Sequence, residues 1–221
     1  MQIKLHYHPL ASYCWKVLIA LYESEVDFDR QIVDLADPAQ RAALLTLSPF
    51  AKFPVLVARH GHGHAPNARI VLESTLIIEY LAQHFPSAAA LLPADTDKAF
   101  EVRTRDRFFD LNVHEHVQKI VLDRIRPAGK QDPYGVDNAQ AILATAYDVL
   151  ETQLGSQPWA AGADFSMADC AAAPALYYGN RVRTFDTSHP RLSAYLKRLH
   201  ARPSFARVFE EAQPFLANFP A

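Results

Sequence analysis

Cysteine is nearly missing from this chain: Cys14 and Cys170 are the only two among 221 residues, and they stand far apart. That scarcity argues against a disulfide-framed scaffold and leads us to expect a reduced, cytoplasmic location. An excess of either charge is missing too, with 22 Lys and Arg against 24 Asp and Glu and a formal net charge of −2. Such a balance leaves no electrostatic footprint for nucleic acid or an anionic membrane surface. No apolar run approaches the roughly 18 residues that a membrane helix needs. The opening stretch from Met1 to Tyr7 lacks the apolar centre of a signal peptide, so none is expected. What the chain does have is 50% hydrophobic and 21% charged residues, the composition of an ordinary globular protein. Its length is enough for two modest domains.

Two short stretches resist a purely structural reading. Pro54 opens the apolar run Val55-Leu56-Val57, yet proline has no amide proton to give a strand ladder. It belongs at the first residue of a strand, on an edge, or in a tight turn, and a cis Phe53–Pro54 bond is one way to seat it there. The main chain of Phe53 is then expected to face outward and pair with an extended peptide ligand. Further on, Ile70-Val71-Leu72 ends in Glu73-Ser74, and an apolar helical pattern starts at once. Ser74 at a helix N-terminus offers a hydroxyl and free amides to a carboxylate, while Glu73 offers an acceptor to an ammonium. Together they make a socket for an α-amino acid head group.

In chain order, Ile3 to Tyr7 reads as a first strand. Ser12 is expected to cap a helix carrying Val17, Leu18, Ala20 and Leu21. Phe28 to Val33 reads as a second strand, Asp37 to Leu45 as an irregular helix, and two hairpin strands and a helix over Thr75 to His84 follow. A βαβ crossover followed by a hairpin implies one small mixed sheet. Residues 85–95, with two prolines and no periodicity, read as a linker. The remainder, 96–221, reads as helical: one long helix from Thr96 to about Arg124, another over Asn138 to Leu154, and closing helices over Pro190 to His200 and Pro203 to Ala212. Ser166 with Asp169 has capping-box spacing, with Phe165 as a staple toward Cys170.

Phe53-Pro54-Val55-Leu56, a hairpin, then Glu73-Ser74 and Leu76-Ile77-Ile78-Glu79-Tyr80-Leu81 resemble the glutathione site of the cytosolic glutathione S-transferase family. The likeness runs through nearly the whole chain. It implies an α/β plus all-α architecture: a thioredoxin-like domain at 1–84, the linker at 85–95, and an all-helical acceptor-substrate domain at 96–221. It implies reduced glutathione as co-substrate, a small electrophile as partner, no metal, and a homodimer. Phe53 and Pro54 would hold the cysteinyl part, Glu73 and Ser74 the γ-glutamyl end, and Lys52 the glycyl carboxylate.

The thiol of glutathione must ionise, and a hydroxyl at a helix N-terminus favours that. The first strand–helix loop offers Tyr7, Ser12, Tyr13 and Cys14. Here the chain departs from the family pattern. Five residues before the Lys16-Val17 pair, where several classes place a reactive Ser or Cys, stands Ala11. Ser12 therefore ranks first as the catalytic residue, Tyr7 second and Cys14 third. Ala11 also favours a rival reading, a binding or regulatory protein of the same fold. On the long helix Asp110 and His114 share a face with Phe109, Val113 and Val117, and are the acceptor-site candidates. His60, His62 and His64 alternate with glycine and read as an exposed loop rather than a metal clip.

Overall fold

The computed structural model describes residues 1–60, 67–185 and 187–220. The chain runs β1 (Gln2–Tyr7), α1 (Ser12–Glu23), β2 (Asp29–Ile32), α2 (Pro38–Leu45), β3 (Val55–His60), β4 (Asn67–Leu72) and α3 (Ser74–His84). β1 pairs parallel with β2 and antiparallel with β3, which pairs antiparallel with β4, giving the order β2-β1-β3-β4. This is the thioredoxin-like arrangement. A 3₁₀ turn over Pro86–Leu91 leads to the helical part: α4 (Thr96–Phe108), α5 (Glu115–Arg124), α6 (Pro133–Leu154), α7 (Met167–Val182), α8 (Pro190–His200) and α9 (Pro203–Ala212).

Helix α1 joins the two halves. Trp15, Val17, Ala20 and Leu21 are sealed from solvent, and the Trp15 ring lies 5.1 Å from Tyr177 and 5.2 Å from Tyr178 of α7. One continuous apolar core therefore passes from the sheet through α1 into α7 and α9. Burying a side chain of this size contributes roughly 2–3 kcal/mol, so α1 ties the halves by packing before any charge is counted.

Several local expectations need correcting. Ser12 is the first helical residue of α1, not its cap; Ala11 holds the cap position and has no side-chain oxygen to use. Helix α2 is regular because Asp37 accepts from the amides of Ala39 and Gln40 at 2.8 and 3.2 Å. The long helix is interrupted: residues Phe109–His114 form a π-helical turn between α4 and α5. Helix α6 begins at Pro133, five residues before the apolar pattern does, with Asp132 accepting from the Gly135 amide at 2.9 Å. The capping box is formed, since Asp169 accepts from the Ser166 amide at 2.9 Å. Phe165 packs on Trp159, centroids 5.2 Å apart, beneath the Arg202 guanidinium.

Candidate active site

A cleft of about 390 Å³ opens between the sheet's loops and the helical part. One side is lined by Lys52, Phe53, Pro54, Leu72, Glu73 and Ser74, with the buried Ser48 and the exposed Phe50 beside them. Arg107, Asp110, Leu111, Glu115 and Gln118 form the opposing wall, and Tyr13 stands between the two. The volume suits one small ligand.

Each element arrives there for a physical reason. The Phe53–Pro54 bond is cis, and β3 starts immediately after it. Among the described residues, the Phe53 amide and carbonyl have no main-chain partner. Glu73 occupies the cap position of α3 with φ +68° and ψ 122°, a backbone region that costs a non-glycine residue on the order of 1–3 kcal/mol. That turn leaves the Glu73 side chain exposed in the cleft while Ser74, one residue on, is buried at the helix start.

Behind Ser74 lies a buried ionic network. Lys16 Nζ reaches Asp106 Oδ1 at 2.6 Å, Asp110 Oδ2 at 2.8 Å and Thr75 Oγ1 at 2.8 Å. Thr75 donates to Asp106 Oδ2 at 2.8 Å, and Arg107 Nη2 reaches the same oxygen at 2.9 Å. Arg107 Nη2 also contacts Asp110 and Thr75. Two cations face two carboxylates, so the cluster is charge-balanced. Burial raises the Asp110 carboxyl, assisted by the like charge of Asp106 and opposed by Lys16 and Arg107.

The sequence-level candidates divide. Lys52, Phe53, Pro54, Glu73, Ser74 and Asp110 all line the one cleft. Of the proposed activating residues, none does. Ser12 is 8% exposed and its Oγ lies 2.6 Å from His114 Nε2, so both turn toward each other. Tyr7 is 3% exposed in the core beneath the sheet, and burial, followed by the charge of Glu211, raises its phenol. Cys14 is fully buried, and burial pushes its thiol up to about 12, so the third-ranked nucleophile is withdrawn. His114 is buried behind the wall rather than in it, and burial with the Lys16 charge lowers it to about 4. His62 and His64, and the side chain of His60, lie outside the described residues.

Sequence reasoning passed over Tyr13 and Arg107. Tyr13 sits one residue beyond Ser12, which on a helix is a rotation of about 100° and turns it into the cleft. No hydrogen bond to the described residues occupies its hydroxyl. Burial, followed by the charge of Asp110, raises that phenol, so it stays protonated and remains a donor.

A thioredoxin-like domain with this cleft, closed by a helical domain, has known counterparts. The family described as glutathione S-transferase, N-terminal domain matches residues 11–84, and its C-terminal domain counterpart matches residues 133–198. The chain belongs to the glutathione S-transferase family and is a glutathione S-transferase-like enzyme. It is 28% identical over 210 residues to a probable maleylacetoacetate isomerase of Caenorhabditis elegans, covering 92% of this chain and 91% of the relative. It is 29% identical to glutathione S-transferase 3 of Zea mays, covering 93% and 92%. A crystal structure of a glutathione S-transferase from Methylobacillus flagellatus with glutathione bound superposes with a TM-score of 0.83 at 26% identity, covering 94% of this chain and 98% of that one.

Proposed function

We propose that the protein conjugates reduced glutathione to small hydrophobic electrophiles through a stabilised thiolate. The observation that carries this reading is the convergence of Phe53–Pro54, Glu73–Ser74 and Tyr13 on one cleft. The γ-glutamyl ammonium meets Glu73, and its carboxylate meets Ser74 and the first amides of α3. The cysteinyl main chain pairs with the Phe53 amide and carbonyl, and Lys52 takes the glycyl carboxylate. Tyr13 replaces Ser12 as the donor to sulfur, because its hydroxyl belongs to the cleft lining and no hydrogen bond to the described residues occupies it.

The electrons then run simply. The thiol loses its proton to solvent, the thiolate lone pair forms a C–S bond, and the displaced pair leaves with a halide or is protonated on the conjugate. The apolar edge of Tyr13 and Leu111 receives the acceptor's body. Since each unit of thiol pKa is about 1.36 kcal/mol, one well-aimed hydrogen bond accounts for a shift of about one unit.

Large side chains exposed near the cleft and on the α3 and α4 surface fit a homodimer: Phe50 is 80% exposed, Leu76 54% and Phe100 71%. No helix among the described residues is long and apolar enough to cross a membrane, and a cytoplasmic location suits the two reduced cysteines. The resemblance to a probable isomerase favours a second reading: the same thiolate adds to an unsaturated acid and leaves again after bond rotation. Calorimetric titration with glutathione, followed by turnover of an aryl halide and of a cis-enone acid, tests both. No binding at millimolar glutathione removes the enzyme reading and leaves a regulatory role. Turnover of the acid alone selects the isomerase.

A further inference from the structure

His114 touches two consecutive residues of α1 without lining the cleft itself. It is buried, its Nε2 lies 2.6 Å from Ser12 Oγ, and its ring meets the Tyr13 ring edge to face. The two ring centroids are 4.4 Å apart and the planes stand at 86°. Such a pair holds an aromatic side chain in one orientation. His114 Nδ1 is buried with no partner among the described residues. An orphaned buried N–H costs more than a bare acceptor, which assigns the proton to Nε2 and makes His114 the donor to Ser12.

The backbone is shaped to deliver this contact. Along an α-helix, steps of four residues drift around the axis by about 40° each. The π-helical turn Phe109–His114 takes up that drift. Asp106 and Asp110 reach Lys16, and His114 then reaches Ser12, so all three turn to the same side of α1. The charges facing Tyr13 are Asp110, Arg107, Glu115 and Glu73, and the charge facing His114 is Lys16.

We propose that His114 is the positioning residue for thiolate formation: by donating to Ser12 Oγ and bracing the Tyr13 ring, it fixes the Tyr13 hydroxyl where the glutathione sulfur lies. This rests on the glutathione-thiolate reading, and its test is separable from that reading. Calorimetry of the wild-type protein with glutathione decides the reading itself; absence of binding there overturns both. Given binding, the thiolate of bound glutathione is followed by its ultraviolet absorbance against pH, without an acceptor. His114→Phe keeps a ring and loses the donor. It should raise the thiol midpoint by about one unit and lower kcat at neutral pH by up to about tenfold. The dissociation constant of glutathione should change less than about twofold, a split that general unfolding does not produce. His114→Gln retains a donor and should restore most of the shift. In a Tyr13→Phe background, His114→Phe should add nearly nothing, as expected of residues acting as a unit. An unchanged midpoint in His114→Phe, or additive losses with Tyr13→Phe, overturns the proposal. Should His114→Phe not fold, nitrogen-resolved NMR of the wild-type imidazole decides: a protonated Nε2 whose resonance moves in Ser12→Ala supports it, and a protonated Nδ1 overturns it.

Discussion

Replacing Lys16 by methionine removes the centre of the buried network while keeping the length and packing of the side chain. Lys16 is 1% exposed, and its ammonium sits 2.6 Å from Asp106 and 2.8 Å from Asp110. Without it, two carboxylates share Arg107 alone, and Asp106 is sealed from solvent. Stripping one partner from a buried pair costs about 3–5 kcal/mol. A second route bounds the figure. One carboxylate can instead take a proton, and holding a group of ordinary pKa ~3.9 neutral at pH 7 costs about 1.36 kcal/mol for each of roughly three units, or about 4 kcal/mol. The two estimates agree, so Lys16→Met should lose about 4 kcal/mol at pH 7. The sign with pH also follows. In the variant that carboxyl's folded-state value lies above its unfolded one, so protonation stabilises the fold, and the deficit shrinks as pH falls toward about 5. Urea unfolding followed by Trp15 and Trp159 fluorescence, at one fixed chain concentration, measures both. A loss below about 1 kcal/mol at pH 7, or a loss unchanged between pH 7 and pH 5, would refute the assignment of a buried, coupled network.

Burial holds His114 down to about 4. Its contribution is therefore fully present above the unfolded value of about 6.5 and is lost as pH falls toward the folded one, by at most about 3 kcal/mol. The stability of His114→Gln minus that of wild type should rise over that window in matched urea titrations. Asp169 accepts from Ala160 N at 2.8 Å, Ser166 N at 2.9 Å and Tyr195 Oη at 2.6 Å. Asp169→Ala orphans these donors and should cost 3 kcal/mol or more, on the order of 1 kcal/mol for each, read from the urea midpoint. Glu73→Gly relieves the positive φ and should stabilise the fold by roughly 1 kcal/mol while weakening glutathione binding, seen by pairing denaturation with calorimetry. Phe50→Ala should weaken the proposed homodimer and so lower the weight-average mass in sedimentation, without changing monomer stability by more than about 0.5 kcal/mol.

Much of this was legible in local chemistry. Pro54 before an apolar run and Ser74 at a polar-to-helical switch each have few structural solutions, and both landed on the cleft. Ser12 was misread by one residue. A hydroxyl at a helix start usually marks the cap, but Ala11 holds that position. One residue on a helix is about 100°, enough to exchange cleft for interior. The partner that draws Ser12 inward lies 102 residues away, a pairing no local pattern announces. Helix α4 misleads for the same reason. Its charged run from Thr96 to Phe108 carries no local sign that Asp106 is fully buried, where Lys16 of α1 meets it. The positive φ of Glu73 is similarly silent, since glutamate carries no preference for it.

The donor side of the cleft and the interdomain contact are one physical object. Thr75 follows Ser74 at the start of α3 and is held by Lys16 from α1 and by Asp106 from α4. The start of α3, which we propose holds the amino-acid head group, is thus fixed by charges from two helices, α1 and α4, one in each half of the chain. Surface ion pairs would not hold it, being worth about 1 kcal/mol or less. The Lys16–Asp106–Asp110 set does, because displacing one of these buried members leaves an uncompensated charge in low dielectric, with the half-exposed Arg107 completing the balance. At the end of the cleft that we propose receives sulfur, the π-helical turn places His114 against Ser12 and Tyr13. Residues 106, 110 and 114 therefore form a single spine along which the helical half contacts Lys16, Ser12 and Tyr13 of α1. Ala11 has no hydroxyl or thiol to offer, and on the proposed mechanism Tyr13, braced against that spine by His114, supplies the donor instead.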